Sequence, residues 1–101
     1  VKGIAHITGG GLIENIPRIL PAGCGAEINK RSWPSLPVFE VMSSIGNVEE
    51  QEMFRAFNMG IGMVFIIEPN DLKNVMKTLK NLTEVYEIGH IIKSKNRVVL
   101  T

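Results

Sequence analysis

Three consecutive glycines, Gly9-Gly10-Gly11, constrain this chain more than any other feature. They stand between a loosely alternating segment, Val1 to Thr8, and a stretch with apolar residues at Leu12, Ile13, Ile16, Ile19 and Leu20. The alternation predicts a strand and the second spacing predicts a helix, so the glycines carry the turn between them. Pro17 is tolerated only in a first turn, which makes the helix short and starts it near Glu14 or Asn15; Pro21 stops it. Consecutive glycines let backbone amides approach a ligand, and a helix start adds partial positive charge. The segment therefore suits an anion such as a phosphate, with the Thr8 hydroxyl and the proton-exchanging imidazole of His6 beside it. On pattern alone the loop could equally serve only to reverse the chain, and a lone histidine in a strand is more often structural. The P-loop ending Gly-Lys-Ser/Thr is absent, and so is a dinucleotide-binding G-x-G-x-x-G in a βαβ unit.

Further along, Gly23-Cys24-Gly25 predicts a turn, Ala26-Glu27-Ile28 a short strand, and Lys30 to Pro37 a loop. Val38 to Ile45 predicts a helix closed by Gly46, after which Asn47 would cap a helix with acidic residues in its first turn and Met53, Phe54 and Phe57 on its apolar face. The continuous run Met63-Val64-Phe65-Ile66-Ile67 predicts a buried central strand ended by Pro69. Asn70 to Leu82 has the strongest helical pattern, with Leu72, Val75, Met76, Leu79 and Leu82 on one face and Lys73, Lys77 and Lys80 opposite. Val85 to Ile92 predicts a strand, Lys93 to Asn96 a hairpin loop, and Arg97 to Leu100 the return strand. The fold class expected is α+β: a mixed or antiparallel sheet of about four or five strands with helices packed on it.

Composition excludes several classes of function. A length of 101 residues fits one domain, and 45% hydrophobic residues can build one core. A core and a deep two-walled active site together are more than this length readily holds. Net charge is +1, which gives no nucleic-acid footprint and no polybasic membrane signal. No apolar run approaches the length of a membrane-spanning helix. The single cysteine, Cys24, cannot form an internal disulfide and has no activating neighbour in sequence. His6, His90 and Cys24 lack metal-ligand spacing, so no metal site is expected. The start Val1-Lys2-Gly3-Ile4, with neither Met nor a leader pattern, predicts an internal position in a longer protein.

A second glycine-bearing segment, Phe57-Asn58-Met59-Gly60-Ile61-Gly62-Met63, offers the Asn58 amide and a turn where backbone can be approached, although a tight helix-to-strand turn is the simpler reading. Glu14 and Arg18, four apart, most simply pair on the helix surface; Arg18 meeting a phosphate is the alternative. Trp33 is expected to cap the core edge, with a partner contact as the alternative if it is exposed, and His90 is expected to be a structural residue of an apolar strand.

The run from Ala5 through His6-Ile7-Thr8-Gly9-Gly10-Gly11 to Glu14-Asn15-Ile16-Pro17-Arg18 closely resembles the C-terminal half of the aminoimidazole ribonucleotide synthetases, the phosphoribosylformylglycinamidine cyclo-ligases. Ser32-Trp33-Pro34 with Phe39, Glu52-Met53-Phe54-Arg55, Phe57 to Met63 and Tyr86-Glu87-Ile88-Gly89 continue the resemblance in order along nearly the whole chain. The glycine triplet alone would also suit the wider superfamily, including selenophosphate synthetase, thiamine-monophosphate kinase and formylglycinamidine ribonucleotide synthetase.

The resemblance implies an ATP-dependent cyclisation of formylglycinamidine ribonucleotide to aminoimidazole ribonucleotide, with ADP and phosphate released, in cytoplasmic purine biosynthesis. It implies His6 as the catalytic group and Thr8, Gly9, Gly10 and Gly11 as substrate-binding, with Asn58 and Gly60 in a second line. ATP and Mg2+ would be bound mainly by an N-terminal domain whose acidic glycine-rich segment is absent here, and the full-length enzyme would be a homodimer. Residues 1–101 would then be one domain, part of the substrate-side half, inactive alone, and exposing apolar surface where the rest would pack. The alternative class is a non-catalytic binding or interaction domain of the same superfamily, or a part of another member.

Overall fold

The computed structural model describes residues 2–101, so Val1 of the first expected strand lies outside it. The elements are β1 (Gly3–His6), α1 (Gly11–Asn15), β2 (Cys24–Ile28), α2 (Pro37–Gly46), α3 (Glu50–Ala56), β3 (Met63–Ile66), α4 (Leu72–Lys80), β4 (Gly89–Lys93) and β5 (Val98–Leu100). Short 3₁₀ turns occupy Pro17–Ile19 and Pro69–Asp71. The class is α+β, with the five strands divided between a two-stranded antiparallel ribbon, β1-β3, and a three-stranded mixed sheet ordered β4-β2-β5.

α1 starts earlier than the proline suggests, directly on the glycine turn. Pro17 does not interrupt it, because the α-helix ends at Asn15 and the proline opens a separate 3₁₀ turn at a position needing no N–H. Leu12 in α1 and Ile16 just after it are fully buried. Around them Ala5, Ile7, Leu20, Ala26, Ile28, Trp33, Phe54 and Ile61 close one core between α1, α3 and the two sheets. Burying each large side chain here contributes about 1.5–3 kcal/mol. Trp33 packs edge-on against Phe54, ring centroids 6.3 Å apart, and its indole N–H donates to the Met59 carbonyl at 3.0 Å.

The expected hairpin of the last two strands does not form. β4 pairs antiparallel with one side of β2, and β5 pairs parallel with the other. The short connection between them therefore crosses over β2. Its route is tied by Ser94 N–H donating to Gly23 O at 3.1 Å and Ala26 N–H to Arg97 O at 2.9 Å. The crossing needs Gly25: a Cβ there would collide with the Asn96 carbonyl. Cys24 and Gly25, read from sequence as a turn, are thus the first residues of a central strand.

β3 is likewise not a buried central strand. Among the described residues it pairs only with β1, and one face of this ribbon is open, with Ile4 52%, Met63 51% and Phe65 39% exposed. A continuous apolar run does not say whether both faces are covered. Asn47 adopts a left-handed conformation and ends α2, and Glu49, rather than Asn47, precedes α3. Leu72, Val75, Met76 and Leu79 of the expected α4 face are half-buried and Lys73, Lys77 and Lys80 are exposed, but the helix ends at Lys80, and Leu82, expected on the same face, is 79% exposed beyond it.

Candidate functional site

The β1-β3 register sets His6 opposite Met63, and the next residue, Ile7, donates its N–H to Gly62 O at 2.9 Å. This ladder brings the two glycine-bearing segments side by side. Gly11 completes the contact. Its φ is +61°, and a Cβ on it would strike the Phe54 and Phe57 carbonyls at the end of α3. Only glycine lets the start of α1 sit against that helix end.

In the second segment, Asn58 folds back on its own backbone. Its Oδ1 accepts from Gly60 N–H at 2.8 Å, and its carbonyl accepts from Ile61 N–H at 3.0 Å. The Asn58 side-chain carbonyl therefore shapes the turn and leaves the amide NH2 as its free polar end. His6 is exposed at the end of β1, on the open face of the ribbon that carries Met63 and Phe65.

The glycine loop is organised from beneath by Asn15, 5% exposed and the only buried polar residue among those described. Its side-chain amide donates to the carbonyls of Gly11 at 2.8 Å, Thr8 at 3.2 Å and, most weakly, Gly9 at 3.4 Å. Its Oδ1 accepts from the Thr8 hydroxyl and from Arg18 Nη1, both at 3.3 Å. Thr8 thus spends its hydroxyl inward. Arg18 does not pair with Glu14 as the spacing suggests; Glu14 instead folds its carboxylate over Gly10, where a Cβ would overlap Oε2. The Glu14 carboxylate thus lies against the loop at Gly10, and the Arg18 guanidinium reaches the loop's support, Asn15.

Two organising residues are not singled out by motif. Asn15 sits in the apolar stripe between Leu12 and Ile16, where a polar side chain is buried only if its hydrogen bonds are met, and that is a readable signal. Arg97 has no such signal. Its guanidinium donates to Pro17 O, Leu20 O, Pro21 O and Cys24 O at 2.7–3.0 Å, tying β5 to the segment that follows α1.

An open groove of about 960 Å3 runs beside this site, walled by α4, β3 and the segment before β4. Of the expected site residues only His6 and Gly60 border it; Thr8, Gly9, Gly10, Gly11 and Asn58 lie outside it. Leu72, Val75, Met76, Leu79, Phe65 and Ile88 give it an apolar lining, unsuited to a ribonucleotide phosphate. On its wall the Tyr86 hydroxyl donates to Glu84 Oε2 at 3.0 Å. That hydrogen bond, with some desolvation and the carboxylate charge, holds the phenol above its ordinary range. His90 is exposed rather than packed, with Nε2 3.5 Å from Glu27 Oε2 across the strand pair.

The family model for the AIR synthase related protein, C-terminal domain, matches residues 1–101. This chain is a member of that family. Three relatives of this AIR synthase related domain are named phosphoribosylformylglycinamidine cyclo-ligase. The one from Thermoanaerobacter sp. (strain X514) is 48% identical over 101 residues, 99% of this chain and 30% of the relative. That from Syntrophotalea carbinolica is 50% identical over 95 residues, 93% of this chain and 27% of the relative. That from Brevibacillus brevis is 49% identical over 100 residues, 98% of this chain and 29% of the relative. The domain therefore spans about 30% of the length of the curated relatives it matches.

Proposed function

We propose that this chain is the substrate-side part of an ATP-dependent cyclo-ligase that converts formylglycinamidine ribonucleotide to aminoimidazole ribonucleotide in purine biosynthesis, with ADP and phosphate released. The observation that carries the reading is the 48–50% identity, over nearly the whole chain, to proteins bearing the cyclo-ligase name. The geometry supports it. A ribonucleotide with an amidine needs an anion-receiving backbone, a cation beside it and an acceptor for the amidine N–H groups. The Gly9 and Gly10 amides, Arg18 and Glu14 are the groups offered for these roles, whereas the Gly11 N–H, expected to join them, is spent on the Thr8 carbonyl at 3.0 Å and Gly11 is buried. Thr8 supports the loop through Asn15, and Asn58 and Gly60 flank it from the neighbouring turn.

His6 is the polar group we assign to the chemistry, holding the substrate or taking the proton that the amidine nitrogen loses as the ring closes. An imidazole can accept a proton near neutral pH. Among the described residues no three His, Cys, Asp or Glu side chains converge. ATP and Mg2+ are assigned to the remainder of the full-length protein, together with a homodimeric assembly in the cytoplasm. No helix among the described residues is long and apolar enough to cross a membrane.

The test is His6→Ala and His6→Asn in the full-length protein. A loss of about 10²–10⁴ in turnover is expected for alanine, in line with removal of a positioned acid–base group. Turnover and KM both near those of the parent would remove His6 from the site. The isolated 101-residue polypeptide is expected to form no aminoimidazole ribonucleotide from ATP and substrate, and clear turnover by it would overturn the two-part reading.

A further inference from the structure

We propose that Asn15 is a positioning residue that turns the Gly9 and Gly10 amides outward, toward the ligand of the glycine loop. The inference rests on the functional reading above for the identity of that ligand, but its structural core stands apart from it. A trans peptide holds its C=O and N–H in opposite directions, and no peptide bond among the described residues is cis. The Thr8 carbonyl and the Gly9 N–H belong to one peptide; the Gly9 carbonyl and the Gly10 N–H belong to the next. Asn15 draws both carbonyls inward, at 3.2 and 3.4 Å, so both N–H groups face away from the core. Neither N–H donates to another backbone group of the described chain.

Glycine peptides would otherwise rotate readily, since no Cβ restricts them. What stops them is a side chain that cannot itself turn. Asn15 Oδ1 is held by the Thr8 hydroxyl and Arg18 Nη1, and the stronger bond to Gly11 O at 2.8 Å fixes its amide end. The Thr8 carbonyl is further held by the Gly11 N–H at 3.0 Å. The two outward donors are preset by the backbone, and only the Glu14 carboxylate folded over Gly10 has to swing aside when an anionic group arrives.

The test compares Asn15→Leu and Asn15→Ser with the parent in the full-length protein, selectively labelled with 15N-glycine. Leucine keeps the branched heavy-atom shape of asparagine with somewhat greater bulk and removes its donors; serine retains a single donor, enough for one carbonyl at most. Residual dipolar couplings report the direction of each N–H directly. For Asn15→Leu, the Gly9 and Gly10 couplings are expected to collapse or change sign, while those of Gly25 and Gly89, in the three-stranded sheet, stay as in the parent. KM for formylglycinamidine ribonucleotide is expected to rise at least tenfold, with a smaller change in kcat. A residue that only fills space would leave the Gly9 and Gly10 couplings unmoved.

Unchanged couplings at both glycines overturn the proposal. Changed couplings with an unchanged KM overturn it as well, because the direction would then not matter to the ligand. Should Asn15→Leu fail to accumulate as folded protein, Asn15→Ser decides: a KM raised at least threefold with altered coupling at one or both glycines supports the proposal, and parental values overturn it. If the parent itself does not turn over the ribonucleotide, the cyclo-ligase reading falls, while the couplings still decide what Asn15 does.

Discussion

Asn15 and Gly11 carry the glycine loop in different ways, one by hydrogen bonds and the other by the absence of a side chain. Gly11→Ala is expected to cost at least about 2 kcal/mol in urea unfolding, since it combines a strained left-handed φ with a Cβ placed on the Phe54 carbonyl. Gly9→Ala is the matched control. Its Cβ would meet nothing within 4 Å, so unfolding should stay within about 0.5 kcal/mol of the parent. Equal losses at the two positions would show that the loop is not held against α3 as described. The contrast was not legible in three identical letters. It arises from where α3 ends, which is a property of packing. The direction of the Thr8 hydroxyl was equally out of reach, because it depends on a buried partner seven positions along the chain.

Among the elements, β2 departs most from its sequence pattern. A segment with glycine beside cysteine reads locally as a turn, yet it is the centre of a sheet because β4 and β5 pair on its two sides, and the loop between them passes over it. Gly25→Val should prevent that crossing, and circular dichroism should show loss of cooperative unfolding. Arg97 makes the same region dependent on one side chain. Arg97→Met removes four charge-assisted hydrogen bonds to backbone carbonyls and is expected to destabilise by about 2–4 kcal/mol, less than a simple sum because water replaces part of them. An unfolding midpoint unchanged in Arg97→Met would show that the carbonyls are satisfied without it. α4 lies at the other extreme. Its apolar and lysine faces were legible from Leu72 to Lys80 because helical periodicity is a local property, while Leu82 falls beyond the helix end and is exposed.

On the scale of the whole molecule, the described surface is unusually apolar around the open face of the ribbon, the groove and α2. Ile4, Met63, Phe65 and Ile91 are all more than a third exposed, as are Val38, Val41 and Ile45 on α2. Exposed apolar surface of this extent promotes association. The isolated polypeptide is expected to sediment with an average mass that rises with concentration, and Phe65→Ser to shift it toward monomer. Concentration-independent monomer for the parent would contradict this reading. By itself the sequence determined the α+β class, the amphipathic helices, the glycine turn and, by resemblance, the family. All of these rest on short-range spacing or on residue identity at particular positions. Only the tertiary structure decided the division into two sheets, the passage of the last connection over β2, the open face of β3 and the inward hydrogen bonding of Asn15. Each of these depends on which distant segment occupies a given face, and a one-dimensional pattern of apolar and polar residues does not specify that.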